Sequence, residues 1–331
     1  MPSLRQPSVV HSTIDSEESG QRLDNYLMRV CKGVPKSHLY RILRSGELRV
    51  NSRRVDAAYR LQVGDRIRIP PIRMAERPEK AIDEVARQRL DLPVLFEDDA
   101  LLIVNKPAGL AVHGGSGVSF GVIESLRTQR SEARFLELAH RLDRETSGIL
   151  LVGKKRSALL ALHDMFREAG QHADKRYWVL VSGRWLDEKR HVRTPLLKYL
   201  TPEGERRVRI SPEGKAAHTV FRLLARGKSW SLLEAQLKTG RTHQIRVHLA
   251  SLGFPILGDE KYGDFGLNRE LVSKGLKRMA LHAWRLSFPH PINGTLLEML
   301  APVPEPLLSF VRQLRVSDPP EWSADIAPDS F

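Results

Sequence analysis

The stretch His140-Arg141-Leu142-Asp143-Arg144-Glu145-Thr146-Ser147-Gly148 sets one carboxylate, Asp143, between two arginines. A small-residue turn and an apolar run from Ile149 to Val152 follow it. The surrounding hydrophobics (Phe135, Leu136, Leu138, Leu142, Ile149, Leu150, Leu151) predict a partly buried loop between two core strands. A carboxylate in such a loop needs a cationic partner to stay ionised. Ionised and desolvated, it is a nucleophile, a base or a metal ligand, or else one half of a structural ion pair. Perturbed carboxylates gather at functional sites without being confined to them.

A second constellation runs from Lys238 to His248 (Lys-Thr-Gly-Arg-Thr-His-Gln-Ile-Arg-Val-His). The pattern predicts a strand ending at the Thr239-Gly240 turn, Thr242 as a cap, and a helix over Thr242 to Leu252. Its buried stripe is Ile245, Leu249 and Leu252. Arg246 stands about 100° round the axis from Ile245, at the edge of that stripe. It either snorkels over the core or supplies the cation that Asp143 needs. Arg241, in the turn before the helix, is placed for a phosphate. A third segment, Lys175-Arg176-Tyr177-Trp178-Val179-Leu180-Val181, reads as a strand with Tyr177 at its entrance. That tyrosine is either a core residue with a satisfied hydroxyl or, beside a reactive Asp, a surface for stacking a nucleobase or moving a proton.

Other literal matches carry less. Gly117-Val118-Ser119-Phe120-Gly121 spells a hydrolase elbow, but it follows a glycine-rich loop and not a core strand. Gly227-Lys228-Ser229 lacks the upstream glycine of a phosphate loop, and Lys238-Thr239-Gly240 has no Ser-x-x-Lys to accompany it. His243 and His248 are five apart and do not share a helix face, so no zinc site is expected.

The elements that must position these residues fall into two groups. From Leu92 onward, strand-like runs recur at Val94–Phe96, Leu101–Val104, Ile149–Val152, Tyr177–Val181, Thr219–Leu224, Ser231–Lys238, Trp284–Phe288 and Leu296–Leu300. Amphipathic helices are expected over Val118–Arg127 and Ala158–Glu168, besides the one containing Arg246. Strands outnumber helices and several are joined by short turns. The expected class is therefore α+β, a mixed, mainly antiparallel sheet with flanking helices. Ahead of it, residues 20–71 form a small basic α+β module. One helix carries Leu23, Tyr26, Leu27 and Val30; Ser37 caps a second with Leu39, Ile42 and Leu43 inward, and Gly46 ends it. Short strands follow at Glu47 to Asn51 and Val63 to Ile69. Residues 1–19 are expected to be a disordered tail, 72–91 a charged linker, 92–312 the main domain, and 313–331 a fraying tail.

Charge narrows the partners. The formal net charge is +14, and from Arg29 to Arg54 eight lysines or arginines face one acid, Glu47. Lys36, Arg41, Arg44, Arg49, Arg53 and Arg54 are the candidate phosphate contacts, the alternative being a solvated helical face. No apolar run reaches the roughly 18 residues of a membrane span, and no signal peptide is evident at the amino terminus. One cysteine, Cys31, rules out an internal disulfide and a cysteine-rich metal site, and points to a reducing compartment such as the cytoplasm.

The N-terminal module resembles an S4 RNA-binding domain through Arg22-Leu23-Asp24, Pro35-Lys36-Ser37 and Gly46-Glu47-Leu48-Arg49-Val50-Asn51. The larger region resembles RNA pseudouridine synthases of the RluA class. The likeness rests on His140-Arg141-Leu142-Asp143 with Thr146-Ser147-Gly148, on Asn105-Lys106-Pro107-Ala108-Gly109-Leu110, and on Lys175-x-Tyr177. Gly240-Arg241-Thr242-His243-Gln244-Ile245-Arg246, Leu257-Gly258-Asp259 and Leu281-His282-Ala283 complete it. It spans roughly residues 20 to 310 and is nearest the RluC-type branch, which modifies uridines of large-subunit (23S) ribosomal RNA. The resemblance implies Asp143 as nucleophile, Tyr177 in the pocket, Arg246 paired with Asp143, and Arg141 filling the space left by a flipped base.

The implied reaction cleaves N1–C1′ of uridine, turns the base and joins C5 to C1′. Nothing is oxidised or added, so neither a cofactor nor a metal is expected. A carboxylate beside the sugar is the ordinary device for a glycosidic bond. A uridine inside a helix must be flipped out, at a cost of a few kcal/mol. The expected partner is large-subunit ribosomal RNA, with no membrane and a monomer as the default state. Rival readings are a non-catalytic ribosome-assembly factor, a synthase acting on transfer RNA, and a serine hydrolase using Ser119. Intact Asp143, Tyr177 and Arg246 speak against the first, the S4-like module against the second, and the net charge against the third.

Overall fold

Two stretches of chain, Met1–Arg89 and Leu90–Phe331, bury separate sets of apolar residues. The computed structural model describes residues 8–15, 18–31, 34–72, 92–114, 120–133, 135–167, 173–318 and 321–322. The expected linker, apart from Ile72 at its start, lies outside the described residues, as do Gly117, Val118 and Ser119 of the hydrolase look-alike.

In the first unit, strand β1 (Val10–Thr13) precedes helices α1 (Leu23–Val30) and α2 (Lys36–Ser45), and β2 (Arg49–Val50) and β3 (Arg66–Ile69) follow. The sheet order is β1-β3-β2, antiparallel throughout. The helical spacing of Leu23, Tyr26 and Leu27 and of Leu39, Ile42 and Leu43 puts all six against Val50, Ile67 and Ile69. Gly46 ends α2 in the left-handed region at φ 77°, the conformation for which glycine carries no steric penalty. Two expectations fail here. Ser37 lies inside α2 and caps nothing; Pro35 occupies the N-cap, where its fixed φ suits the turn into the helix. The tail expected over 1–19 contains β1, whose mostly exposed face hid its strand from a search for apolar alternation.

The second unit opens with β4 (Val94–Glu97), β5 (Leu101–Lys106), α3 (Val122–Gln129), β6 (Glu137–Leu138), β7 (Ser147–Gly153) and α4 (Arg156–Arg167). Strands β8 (Asp174–Ser182), β9 (Lys189–Val192), β10 (Leu196–Leu200), β11 (Arg206–Ile210), β12 (Thr219–Arg226) and β13 (Trp230–Leu237) follow. Then come α5 (Gln244–Ser251), α6 (Phe265–Ser273), β14 (Leu281–Pro289), β15 (Leu296–Leu300), α7 (Glu305–Ser317) and β16 (Glu321–Trp322). Eleven described strands form one sheet whose main path is β16-β12-β13-β8-β14-β7-β5-β4. All its pairings are antiparallel except β7 with β14, so the sheet is mixed and mainly antiparallel, as expected.

Period-two alternation explains why the sheet carries apolar layers on both faces. Leu102, Val104, Leu150 and Val152 point to one side, where Val122, Ile123 and Leu126 of α3 cover them. Leu101, Ile103, Ile149 and Leu151 point to the other, under Ala158, Leu159 and Leu162 of α4. The parallel seam demands a glycine: at Gly148, φ is 111° and a Cβ would lie 2.1 Å from the Ala283 carbonyl oxygen.

The expected C-terminal tail is also corrected. Residues 313–317 continue α7, and β16 pairs with β12. The Asp318 carboxylate accepts from the backbone N–H groups of Lys228 and Ser229 at 2.8–2.9 Å, closing the turn between β12 and β13.

Candidate active site

Strand β7 is entered through the loop that carries Asp143, and the buried ammonium of Lys106 holds that loop in place. Its Nζ donates to the carbonyls of Pro107 and Leu110 at 2.8 Å and of Arg144 at 3.0 Å. His140 anchors the other flank. Its Nε2 accepts the Leu151 backbone N–H at 3.1 Å, which requires the neutral ring, and burial pushes its pKa down to about 3. A further chain runs behind the loop. Arg278 donates to Ser147 Oγ at 2.6 Å, and the Ser147 hydroxyl meets His282 Nδ1 at 2.8 Å. His282 Nε2 meets the Ala301 carbonyl at 3.2 Å. Because that carbonyl only accepts, Nε2 carries the proton and Nδ1 takes the one from Ser147. Burial lowers the His282 pKa to about 4.

Helix α5 brings the cation. Arg246 Nη1 donates to Asp143 Oδ2 at 3.1 Å, while Nε and Nη2 form a bidentate fork on Asp259 at 2.7 Å each. Arg246 is 5% and Asp259 1% exposed. Burial works against the guanidinium charge, but Asp259 and Asp143 together hold its pKa above the ordinary value. Burial likewise opposes ionisation of Asp259. Arg246 and the N–H groups of Lys261 and Tyr262 outweigh it, so the Asp259 pKa is lowered. The ring of Tyr262 stacks beneath the guanidinium, 5.1 Å from centroid to Cζ.

The start of α5 departs from the expectation. Thr242 does not cap it; His243 is the N-cap, in the left-handed region at φ 54°, with no side-chain cap bond. Gln244 does the polar work instead. Its Oε1 accepts from the Arg241 N–H at 3.0 Å and the Thr239 hydroxyl at 2.8 Å, and its Nε2 donates to the His218 carbonyl at 3.1 Å. The left-handed turn aims His243 at the site. Its Nε2 is 3.8 Å from Asp143 Oδ1 and its Nδ1 is 2.8 Å from the Tyr262 hydroxyl. Burial lowers the His243 pKa, against the pull of Asp143. The helix is buried almost all round, not along one stripe: Gln244 to Leu249 are all enclosed.

Asp143, Tyr177, Arg246, Arg141 and Arg241 all line one cavity of about 410 Å³, together with Leu142, Leu237, Ile245 and Leu281. Tyr177 is 9% exposed, and its hydroxyl makes no hydrogen bond among the described residues. Burial, and then the charge of Asp143, pushes its pKa up, so it is a neutral phenol. Arg141 is exposed and makes no ion pair among the described residues, and Arg241 is exposed with Nε on the Ala216 carbonyl at 3.0 Å. The result is a cavity of mixed lining that holds one carboxylate, with one oxygen bound by Arg246, and an uncommitted phenol beside apolar Leu142, Leu237, Ile245 and Leu281. Such a site fits a flat, uncharged ring attached to a sugar.

The family comparisons bear directly on that cavity. Residues 100–251 match the family described as RNA pseudouridylate synthase, and residues 21–67 match the S4 domain. The chain is 50% identical over 313 residues to ribosomal large subunit pseudouridine synthase C of Escherichia coli (strain K12), covering 93% of this chain and 98% of that one. The chain belongs to the RNA pseudouridine synthase family. The Haemophilus influenzae protein of the same name is 49% identical over 314 residues, covering 94% and 96%. The fold agrees: the human protein RNA pseudouridylate synthase domain containing 4 superposes with a TM-score of 0.56 at 26% identity, over 70% of this chain and 95% of that one.

The first unit of this synthase presents the other expected residues. Lys36, Arg41, Arg44, Arg49, Arg53 and Arg54 are exposed, and none pairs with a carboxylate among the described residues. Several are steadied by neutral acceptors, as when Arg54 Nη2 donates to the Ser45 carbonyl at 2.9 Å. Sequence reasoning overlooked Arg66 and Arg68, which alternate with buried Ile67 and Ile69 so that Arg68 lies beside Arg49 on the exposed face. It also overlooked the supporting roles of Asp259, His243 and Tyr262. Among the described residues, no group of three His, Cys, Asp or Glu side chains could hold a metal ion.

Proposed function

We propose that this chain isomerises specific uridines of large-subunit ribosomal RNA to pseudouridine, the substrate its relatives are named for. The observation that carries the reading is the contact of Asp143 with buried Arg246 in a cavity shared with Tyr177. Asp143 supports cleavage of the N1–C1′ bond, and its charge is maintained by a guanidinium that Asp259 fixes in place. The detached uracil turns in the cavity against the Tyr177 ring, and C5 bonds to C1′. The proton on C5 is lost and N1 gains one, so the atoms balance without a co-reactant. Apolar walls keep water from C1′, where it would leave an abasic site. Arg141 takes the stacking position vacated by the flipped base, and Arg241 contacts a phosphate. The exposed cations of the S4 unit, Lys36, Arg41, Arg44, Arg49, Arg53 and Arg54, supply sequence-independent affinity. The enzyme acts as a monomer in the cytoplasm, where its substrate is.

The test is tritium release from C5-labelled uridine in large-subunit ribosomal RNA transcripts. Asp143→Asn is expected to bind RNA with near-normal affinity and to release no tritium above background. Release at the normal rate ends the assignment.

A further inference from the structure

One cation in the cavity has no part in the mechanism above. Lys175 and Tyr177 lie two residues apart on β8, so both side chains leave the same face of the strand, roughly 6.6 Å apart along it. Arg176 between them points to the opposite face, where Asp174 and Glu234 neutralise it at 2.7 and 2.8 Å. Lys175 has no such partner: among the described residues it makes no ion pair and no hydrogen bond. Its ammonium sits 4.8 Å from the centroid of the Phe166 ring, at the wall formed by the turn that holds Gly240. Burial lowers its pKa, the mark of a cation with no counter-charge nearby.

The surroundings indicate what is missing. Among the described residues lining the cavity, Asp143 is the sole carboxylate, and Arg246 already occupies one of its oxygens. Arg141, Lys175 and Arg241 therefore leave the cavity with an excess of uncompensated positive charge. Arg141 and Arg241 are exposed at its mouth, whereas Lys175 is half-buried inside. A desolvated ammonium in such a cavity calls for an anion that arrives with the substrate. Building on the isomerase reading, we propose that Lys175 binds the phosphodiester adjoining the everted uridine while Tyr177 takes its ring. The two-residue strand spacing gauges one nucleotide, with the base and its own backbone charge held by neighbouring side chains of a rigid element.

The test uses the full-length enzyme, large-subunit ribosomal RNA transcripts, and the Lys175→Met and Lys175→Arg variants. Loss of one charged hydrogen bond predicts a rise of about tenfold in KM for Lys175→Met, with most of the loss in KM and not in kcat. The slope of log Kd against log salt should fall by about 0.7–0.9, the share of one phosphate, and Lys175→Arg should restore it. On a stem-loop containing a uridine mapped as a product, one neutral methylphosphonate linkage beside that uridine should weaken the wild type and leave Lys175→Met unaffected. An unchanged salt slope, or a fall in kcat at saturating RNA with KM unchanged, overturns the proposal. The methylphosphonate comparison on wild-type enzyme stands even if Lys175→Met folds poorly. A wild type that releases no tritium but shows the slope change defeats the isomerase reading and leaves the phosphate contact in place.

Discussion

Arg246 of the synthase unit is 5% exposed and commits Nε, Nη1 and Nη2 to two carboxylates, whereas in the S4 unit exposed Arg49 and Arg54 donate to carbonyls and exposed Arg53 pairs with no carboxylate among the described residues. The same side chain thus does two kinds of electrostatic work. A buried guanidinium is held in a fixed geometry, is barely screened by salt, and is costly to lose. Exposed guanidiniums contribute little singly, and act as a group by displacing counterions from RNA. Chemistry calls for the first arrangement and docking for the second.

The sharpest way to break this contrast is at Arg246. Arg246→Ala leaves Asp259 buried without its partner, a loss of about 3–5 kcal/mol, and frees Asp143. We expect a drop of about a thousandfold or more in kcat/KM, on the scale of removing a preorganised charge, with a lower urea midpoint. Arg246→Lys keeps the charge without the fork and should recover stability better than rate. Near-normal turnover in either variant would show that the pair is merely structural.

Acid sensitivity should separate the units next. His140 and His282 have folded-state pKa values of about 3 and about 4, below the ordinary value of 6.5. The unfolded chain therefore takes up protons first as pH falls, and stability is lost from about 6.5 down to about 4 for His282 and to about 3 for His140. Each histidine contributes about 2 kcal/mol to the difference between pH 7.5 and pH 5. Urea unfolding of His282→Asn at those two pH values should show a difference smaller by that amount. An unchanged difference would mean that His282 is not held neutral.

The smallest effect on the fold, and the most specific one on RNA, belongs to the exposed set. The triple variant Arg49→Ala, Arg53→Ala, Arg54→Ala should unfold at the wild-type urea concentration. Its salt slope for ribosomal RNA binding should be lower by about 2. An unaltered slope would remove these arginines from the interface.

What the sequence made legible follows from the range of the interactions. Asp143, Arg246 and Tyr177 stand in runs whose local pattern already implies a loop, a helix and a strand, although Tyr177 lies three residues inside β8 and not at its entrance, and the helix is buried beyond a single stripe. The fork on Asp259 joins residues 13 apart across a helix and a loop, and no periodicity announces it. The left-handed φ of His243 was equally invisible, because Thr242 offers a good cap and only the surrounding fold selects Gln244 for that work. The hairpin of β10 and β11 was missed because its strands are mostly exposed and rich in basic residues; its anchor is a small cluster of Leu196, Val208, Ala217 and Val247. The central strands were legible because both of their faces are buried.

The β7-β14-β8 order has one more consequence. Ala283 pairs with Gly148 on one side and with Tyr177 on the other, so two inter-strand steps, about 9.6 Å, separate the strand that follows the Asp143 loop from the strand that carries Tyr177. That span is a product of peptide geometry, as invariable as the rungs of a ladder. Substitutions at the cavity rim leave that spacing untouched, because main-chain hydrogen bonds and not side chains set it.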